Sequence, residues 1–206
     1  MNTVNQIPAP ANFLRANRVH AIACVNVGTG PEGRIPMLAR IAVVDFDGNS
    51  IIDTYVMPTA QVTDYRTATT GIQDVHLFSG NAVAFNDVQL HVANIIRDHI
   101  LVGHSIWNDF SVLGMRHPII DTRDVALYQP FRVALNSPND VPSLQILSSR
   151  FSYRDFLEDG RPVSLENARM ALDLYRWHII NLESSTRPIW PFYDPPDAYE
   201  HHYLWP

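Results

Sequence analysis

The sequence contains no lysine: all 15 of its basic residues are arginine. A chain of this length ordinarily carries roughly a dozen lysines. Their absence excludes Schiff-base chemistry on a lysine nucleophile and a lysine-bound pyridoxal cofactor. Cysteine is almost as scarce. Cys24 stands alone, so no internal disulfide forms, and an intracellular compartment, cytoplasmic or nuclear, is the expectation. Uninterrupted apolar runs are a few residues long, too short to span a bilayer. The opening stretch MNTVNQIPAPANFLRANRVH has no basic region followed by an apolar core, so it does not read as a secretory signal. Positive charge is short as well: 15 arginines face 21 acids, for a formal net charge of −6. Nucleic-acid binders usually show a basic footprint, so the balance disfavours RNA as a partner while leaving room for a local arginine patch. No repeats and no low-complexity blocks occur.

What is present is enough apolar material for one core. The chain has 206 residues, 46% of them apolar, the size of a single globular domain. Residues 1–19 read as an N-terminal arm, 20–183 as the folded domain, and 184–206 as a tail rich in proline and aromatics. The tail cannot be regular helix or central strand and is expected to wrap on the body or on a second copy of the chain. Its adjacent His201 and His202 point opposite ways on an extended segment, so they do not share an ion.

The folded region opens on a strand, His20 to Val27, closed by a Gly-Thr-Gly turn. MLARIAVVDF is a second strand, and the tight-turn signal DGN leads to a third, SIIDTYVMP. Together they predict an antiparallel three-strand meander. Asp47 belongs to that turn, and nothing aims Asp45 at a site. VTDYRTATTGIQDVHLFSG reads as a loop with short helical turns. AFNDVQLHVANIIRDHI places Val88, Val92, Ile95, Ile96 and Ile100 at helical spacing, with Asn86 as a candidate N-cap. ILVGH is a buried strand, SIWNDFSVLGM a helix, and PIIDTRDVAL contains another short strand. PSLQILSSRF is a helix opened by Ser143, and SLENARMALDLYRWHIINLE the longest helix, with Ser164 as its cap. The order βββ-α-β-α-β-α-α predicts an α/β fold: a ribonuclease H-like mixed sheet, an antiparallel meander plus parallel strands, flanked by helices.

Five blocks then coincide in order and spacing: YVMPTAQVTDYRTATTGI, ILVGHSIWNDFSVL, HPIIDTRDVALYQPFR, PSLQILSSRF and ENARMALDLY. Together they closely resemble the DEDDh 3′–5′ exonucleases, in particular the RNA exonuclease 4-like branch. The resemblance runs from about His20 to Trp177 and makes residues 20–183 an exonuclease-like domain. It implies two-metal phosphodiester hydrolysis, with four acids holding two divalent ions and a histidine activating water. The family's first block reads Asp-Cys-Glu; here it is Ala23-Cys24-Val25. The third acid is kept as Asp109. The last acid is Asn167, and the family's histidine is Pro162. Ala23 and Val25 offer no ligand atoms, Asn167 only a neutral carbonyl, and Pro162 takes no proton.

From these substitutions follows the expectation of a pseudo-exonuclease: a cleft without metal or other cofactor, reused for binding or for metal-free acid–base conversion of a small molecule. A non-catalytic RNA-binding or scaffold protein is the alternative, and residual 3′–5′ RNA exonuclease activity a more distant one. Asp109 and His104 are the expected catalytic pair, since a carboxyl beside Ala23 and Val25 has its pKa raised. Tyr65, Arg66, Trp107, Asn108, Asn26 and Asn167 are the expected binding residues. Asp124, Arg123 and Arg132 read as a structural ion-pair network. Cys24, alternating with Ala23 and Val25, is expected to face away from the cleft as a core thiol.

Overall fold

The computed structural model describes residues 18–78, 80–152, 163–179, 203 and 204. Strands β1 (Val19–Thr29), β2 (Ile35–Val44) and β3 (Ser50–Tyr55) form the antiparallel meander. Asp45 makes the β2–β3 turn: its carboxylate accepts the backbone N–H groups of Asp47 and Asn49, at 2.9 and 2.8 Å. A short strand β4 (Val62–Asp64) and the helices α1 (Thr67–Thr70), α2 (Asp74–Phe78) and α3 (Phe85–Ile96) follow. Next come β5 (Ile100–Gly103), α4 (Ile106–Leu113), β6 (His117–Pro118) and β7 (Thr122–Asp124). The helices α5 (Gln129–Ala134), α6 (Leu144–Phe151) and α7 (Val163–Leu174) come last, α7 running on into a π-helical turn, Tyr175–Ile179. Strand β8 (Tyr203–Leu204), from the expected tail, pairs in parallel with β6.

The main sheet has the order β3-β2-β1-β5-β7, with β5 and β7 parallel to β1 and to each other. Helices α3 and α4 bury Val88, Val92, Ile106, Phe110 and Leu113 against one face, with Ile22, Ile41 and Leu101 of the sheet. Helices α6 and α7 bury Leu144, Leu147, Ala171 and Leu174 against the other, with Val19, Ala21 and Val102. The architecture is the ribonuclease H-like mixed sheet that the element order predicts. Among the described residues no helix is long and apolar enough to cross a membrane.

Two predicted caps are elsewhere. Helix α3 starts at Phe85 with Ala84 as its cap, so Asn86 lies inside the first turn. Helix α7 begins at Val163, which puts Ser164 inside the helix, its hydroxyl buried without a partner. The Ser143 prediction corresponds to an observed bond: its Oγ accepts the Ile146 N–H at 3.3 Å.

One feature of β1 positions the site. Its first edge pairs with β2 along nearly its whole length, from Ala21 to Thr29. Its second edge pairs with β5 only over Val19–Ala21, and with β4 only at Gly28 and Thr29. Between these ends neither β5 nor β4 pairs with β1. Glycines stand at both ends of the gap. A Cβ on Gly28 collides with the backbone of Gly33, and one on Gly103 falls 2.5 Å from Ile106 Cγ1 and 3.1 Å from the Ile22 carbonyl oxygen. Only hydrogen side chains let the chain pass this closely.

Candidate functional site

A cavity of about 480 Å³ lies along the unpaired edge of β1. It gathers Ala23, Asn26, Arg66, His104, Asn108, Asp109 and Asn167 from five elements or loops. Cys24 borders it too, against the expectation that it faces away. Strand alternation does separate Ala23, packed toward α7, from Cys24, packed toward α4. The cavity wraps around an open sheet edge, however, so neighbours from both faces reach it.

Asp109 lies in the first turn of α4 and is only 7% exposed. Cys24 of β1 lies beside it, lining the same cavity. Burial, and then the charge of Asp124, push the Asp109 carboxyl well above the usual carboxylate range, with the Cys24 donors opposing. Burial likewise pushes the Cys24 thiol up, and Asp109 adds to that shift.

His104 directly follows β5. Its Nε2 lies 2.7 Å from the Pro142 carbonyl oxygen, which can only accept, so Nε2 carries the proton. Arg66 has a left-handed backbone, φ 51°, stabilised by its own N–H bonding to Asp64 Oδ1 at 2.8 Å. Its guanidinium donates to the Gly33 carbonyl at 2.8 Å, which holds the charge at the cavity wall. Asn26 and Asn167 each bury a side-chain oxygen that has no hydrogen-bond partner. Such oxygens are costly unless something donates to them.

Other expected residues lie apart from the cavity. Trp107 is 5% exposed and packs in the core beneath α4 with Phe110 and Leu113. Tyr65 donates its hydroxyl to Asp74 Oδ1 at 2.8 Å, a bond that raises its pKa. Val25 is buried with Val27, Met37 and Leu77. Pro162, His201 and His202 lie outside the described residues, as do most of the arm and tail.

Asp124 has a role that the ion-pair expectation missed. Its carboxylate accepts the N–H groups of Ser105, Ile106 and Ala126 at 2.9, 2.7 and 2.9 Å. It therefore caps α4 from a neighbouring strand and fixes the helix that carries Asn108 and Asp109. Burial raises its pKa, while the His104 charge and the three N–H donors pull it back. Arg123 donates to the carbonyls of Ile120 and Thr122. No local signal marks Asp124 as a cap, since it stands 18 residues after the N–H it satisfies at Ile106.

Comparison with known proteins bears on this cleft. No family model matches the chain. An RNA exonuclease 4 of Neurospora crassa is 43% identical over 169 residues, 81% of this chain and 40% of that protein. The RNA exonuclease 4 of Homo sapiens is 37% identical over 180 residues, 87% of this chain and 42% of that protein. That of Kluyveromyces lactis is 36% identical over 176 residues, 84% of this chain and 58% of that protein. The chain thus spans roughly half the length of these relatives. Among solved structures, the Saccharomyces cerevisiae Pan2 pseudoubiquitin hydrolase-RNA exonuclease module in complex with AAUUAA RNA superposes with a TM-score of 0.69 at 24% identity, over 83% of this chain and 30% of that one. The Neurospora crassa Pan2 catalytic unit gives 0.64 at 22% identity, over 89% of this chain and 29% of that one. These two carry the fold. The chain belongs to the DEDDh exonuclease superfamily, with its ribonuclease H-like fold.

This finding overturns the expectation of a pseudo-exonuclease turned to small-molecule chemistry or to a scaffold role. The relatives at 36–43% identity are named RNA exonuclease 4, and nothing in the comparison speaks for a lost active site. That expectation set the changes at Ala23, Val25, Pro162 and Asn167 above a similarity that runs through most of the chain.

The family's reaction uses a pair of divalent ions, which take oxygen ligands, mostly anionic. The described residues do not fit such a pair: Asp109 is the one carboxylate in the cavity lining. Among the described residues no group of three or more His, Cys, Asp or Glu side chains converges to hold a metal.

Proposed function

We propose that this chain is an RNA-directed exonuclease domain of the DEDDh type, which receives the 3′ end of a single strand in the cavity along β1 and removes nucleotides from it. The observation that carries this reading is the 36–43% identity to proteins named RNA exonuclease 4, over 76–87% of the chain. The cavity's chemistry agrees with it. Arg66, held by Gly33, faces a phosphate; Asn26 and Asn167 bring amide side chains to the same lining, for the ribose hydroxyls. Asn108 offers both a donor and an acceptor. Hydrolysis breaks the terminal phosphodiester P–O bond, forms a P–O bond from water, and needs a proton moved to the leaving oxygen. Asp109 and His104 are the titratable groups placed to move it. A net charge of −6 makes the electrostatic contribution to binding small, so hydrogen bonds and stacking supply most of the affinity.

The test is direct. A 5′-labelled single-stranded RNA is incubated with the protein in Mg²⁺ and, separately, in Mn²⁺, and products are resolved at single-nucleotide spacing. The expected result is a ladder shortening from the 3′ end, abolished in Asp109→Asn. RNA left intact in both ions overturns the activity.

A further inference from the structure

Strand β8 joins the fold at a segment on which the cavity depends. Its partner β6, His117 and Pro118, lies between the end of α4 at Leu113 and the start of β7 at Thr122. Helix α4 brings Asn108, Asp109, Ser111 and Val112 to the cavity lining. Strand β7 ends in Asp124, whose carboxylate caps that helix. β6 ties the two together. His117 is buried, and its ring stacks on Phe110 of α4 with centroids 6.0 Å apart. Thr122 of β7 gives its hydroxyl proton to the Pro118 carbonyl, at 2.9 Å. That hydroxyl therefore accepts from His117 Nδ1, 3.0 Å away, and Nδ1 carries the proton. Helix α4 is thus held at its first turn by Asp124 and on its buried side by His117, and both holds belong to one short stretch of chain.

We propose that β8 is a strap that sets the position of α4, so that residues 203 and 204 act on the cavity through β6. The inference rests on the RNA reading above only for its effect on RNA affinity. The pairing is parallel, His117 with Tyr203 and Pro118 with Leu204. Pro118 has no N–H, so the parallel pattern that joins these two pairs leaves the Leu204 N–H to the His117 carbonyl. The strap therefore takes hold of the backbone of the residue whose ring supports α4. Among the described residues β6 pairs with no other strand. A ladder of two residues is also too short to stand alone, and it can open without unfolding the domain. Opening it frees the β6 backbone while leaving the Asp124 cap in place, which loosens α4 rather than melting it.

The experiment compares the full chain with Leu204→Pro, which removes the ladder N–H, and with Leu204→Ala, which keeps it. Hydrogen exchange is read amide by amide in α4, with α3 and α7 as references. Leu204→Pro is expected to speed exchange in α4 by roughly 2- to 10-fold, the worth of one backbone hydrogen bond, with α3 and α7 unchanged. Leu204→Ala is expected to leave all three helices as in wild type. Binding of a labelled single-stranded RNA at low salt is expected to weaken over the same range in Leu204→Pro alone. Exchange in α4 that does not change, that rises equally in α3 and α7, or that rises equally in Leu204→Ala overturns the strap. So does faster exchange in α4 with RNA affinity unchanged, and the RNA reading then stands. Wild-type protein that binds no RNA overturns the RNA reading instead, and exchange in α4 alone then decides the strap.

Discussion

Replacing Asp124 by alanine tests the most specific structural claim, that one carboxylate holds the start of α4. Three backbone N–H groups lose their acceptor: those of Ile106 and Ala126 are buried, and that of Ser105 is partly so. Each buried donor left unsatisfied costs about 1–3 kcal/mol, so the two alone amount to about 2–6 kcal/mol. Removing a carboxyl that burial disfavours in its charged form returns part of that, which leaves a net loss of roughly 2–4 kcal/mol. Against a typical domain stability of about 5–15 kcal/mol this is a large fraction. Asp124→Asn keeps one accepting oxygen and turns an NH₂ toward an N–H donor, so it falls between wild type and alanine. The assay is urea unfolding followed by circular dichroism, with slopes compared to confirm that the same surface is exposed. A loss under about 1 kcal/mol in Asp124→Ala, at unchanged slope, refutes the capping role.

Three other outcomes are expected. Asp109 has its folded-state pKa raised, so the native state keeps its proton to higher pH than the unfolded chain; the associated stability is complete below the usual carboxylate pKa, near ~4, and is lost as pH rises through the folded value. Asp109→Asn therefore raises the melting temperature at pH 7 relative to wild type, the difference vanishing toward pH 4; an equal difference at both ends counts against it. Gly28→Ala forces a Cβ into the Gly33 backbone, which cannot rotate away, and is expected to cost about 3 kcal/mol or more in the same unfolding assay. Arg66→Ala is expected to weaken RNA binding and to lower the log–log salt slope by about 0.7, the loss of one phosphate contact on a single strand; an unchanged slope removes Arg66 from the backbone path.

The fold was legible because its signals are local. Apolar runs bounded by DGN or by Gly-Thr-Gly give strands, and an N-terminal Ser143 gives a helix start, from neighbours alone. What was misread depends on distant partners. Asp124 looked like a member of an ion-pair network, because nothing near it in sequence says that β7 ends against the first turn of α4. Trp107 sits in a site-forming block, yet the turn of α4 that points Asn108 outward points Trp107 into the core. Cys24 was assigned to the far side by a rule that assumes both edges of a strand are paired. That rule fails where β5 stops at Ala21 and β4 starts only at Gly28.

The same unpaired edge explains why the substitutions at Ala23 and Val25 leave a cleft behind. Its length is set by where β5 and β4 let go of β1, and at both ends the close approach is one that only glycine tolerates: Gly103 against Ile106 and Ile22, Gly28 against Gly33. Neither contact involves a carboxylate. The cavity's walls are then supplied by α4, held through Asp124, by the loop of Arg66, held through Gly33, and by His104, held through Pro142. Each of these supports is a backbone contact. Shape and side-chain chemistry are therefore separable in this fold: residues 23 and 25 change which atoms face the ligand, while the glycines and backbone acceptors decide that a strand-sized groove exists at all.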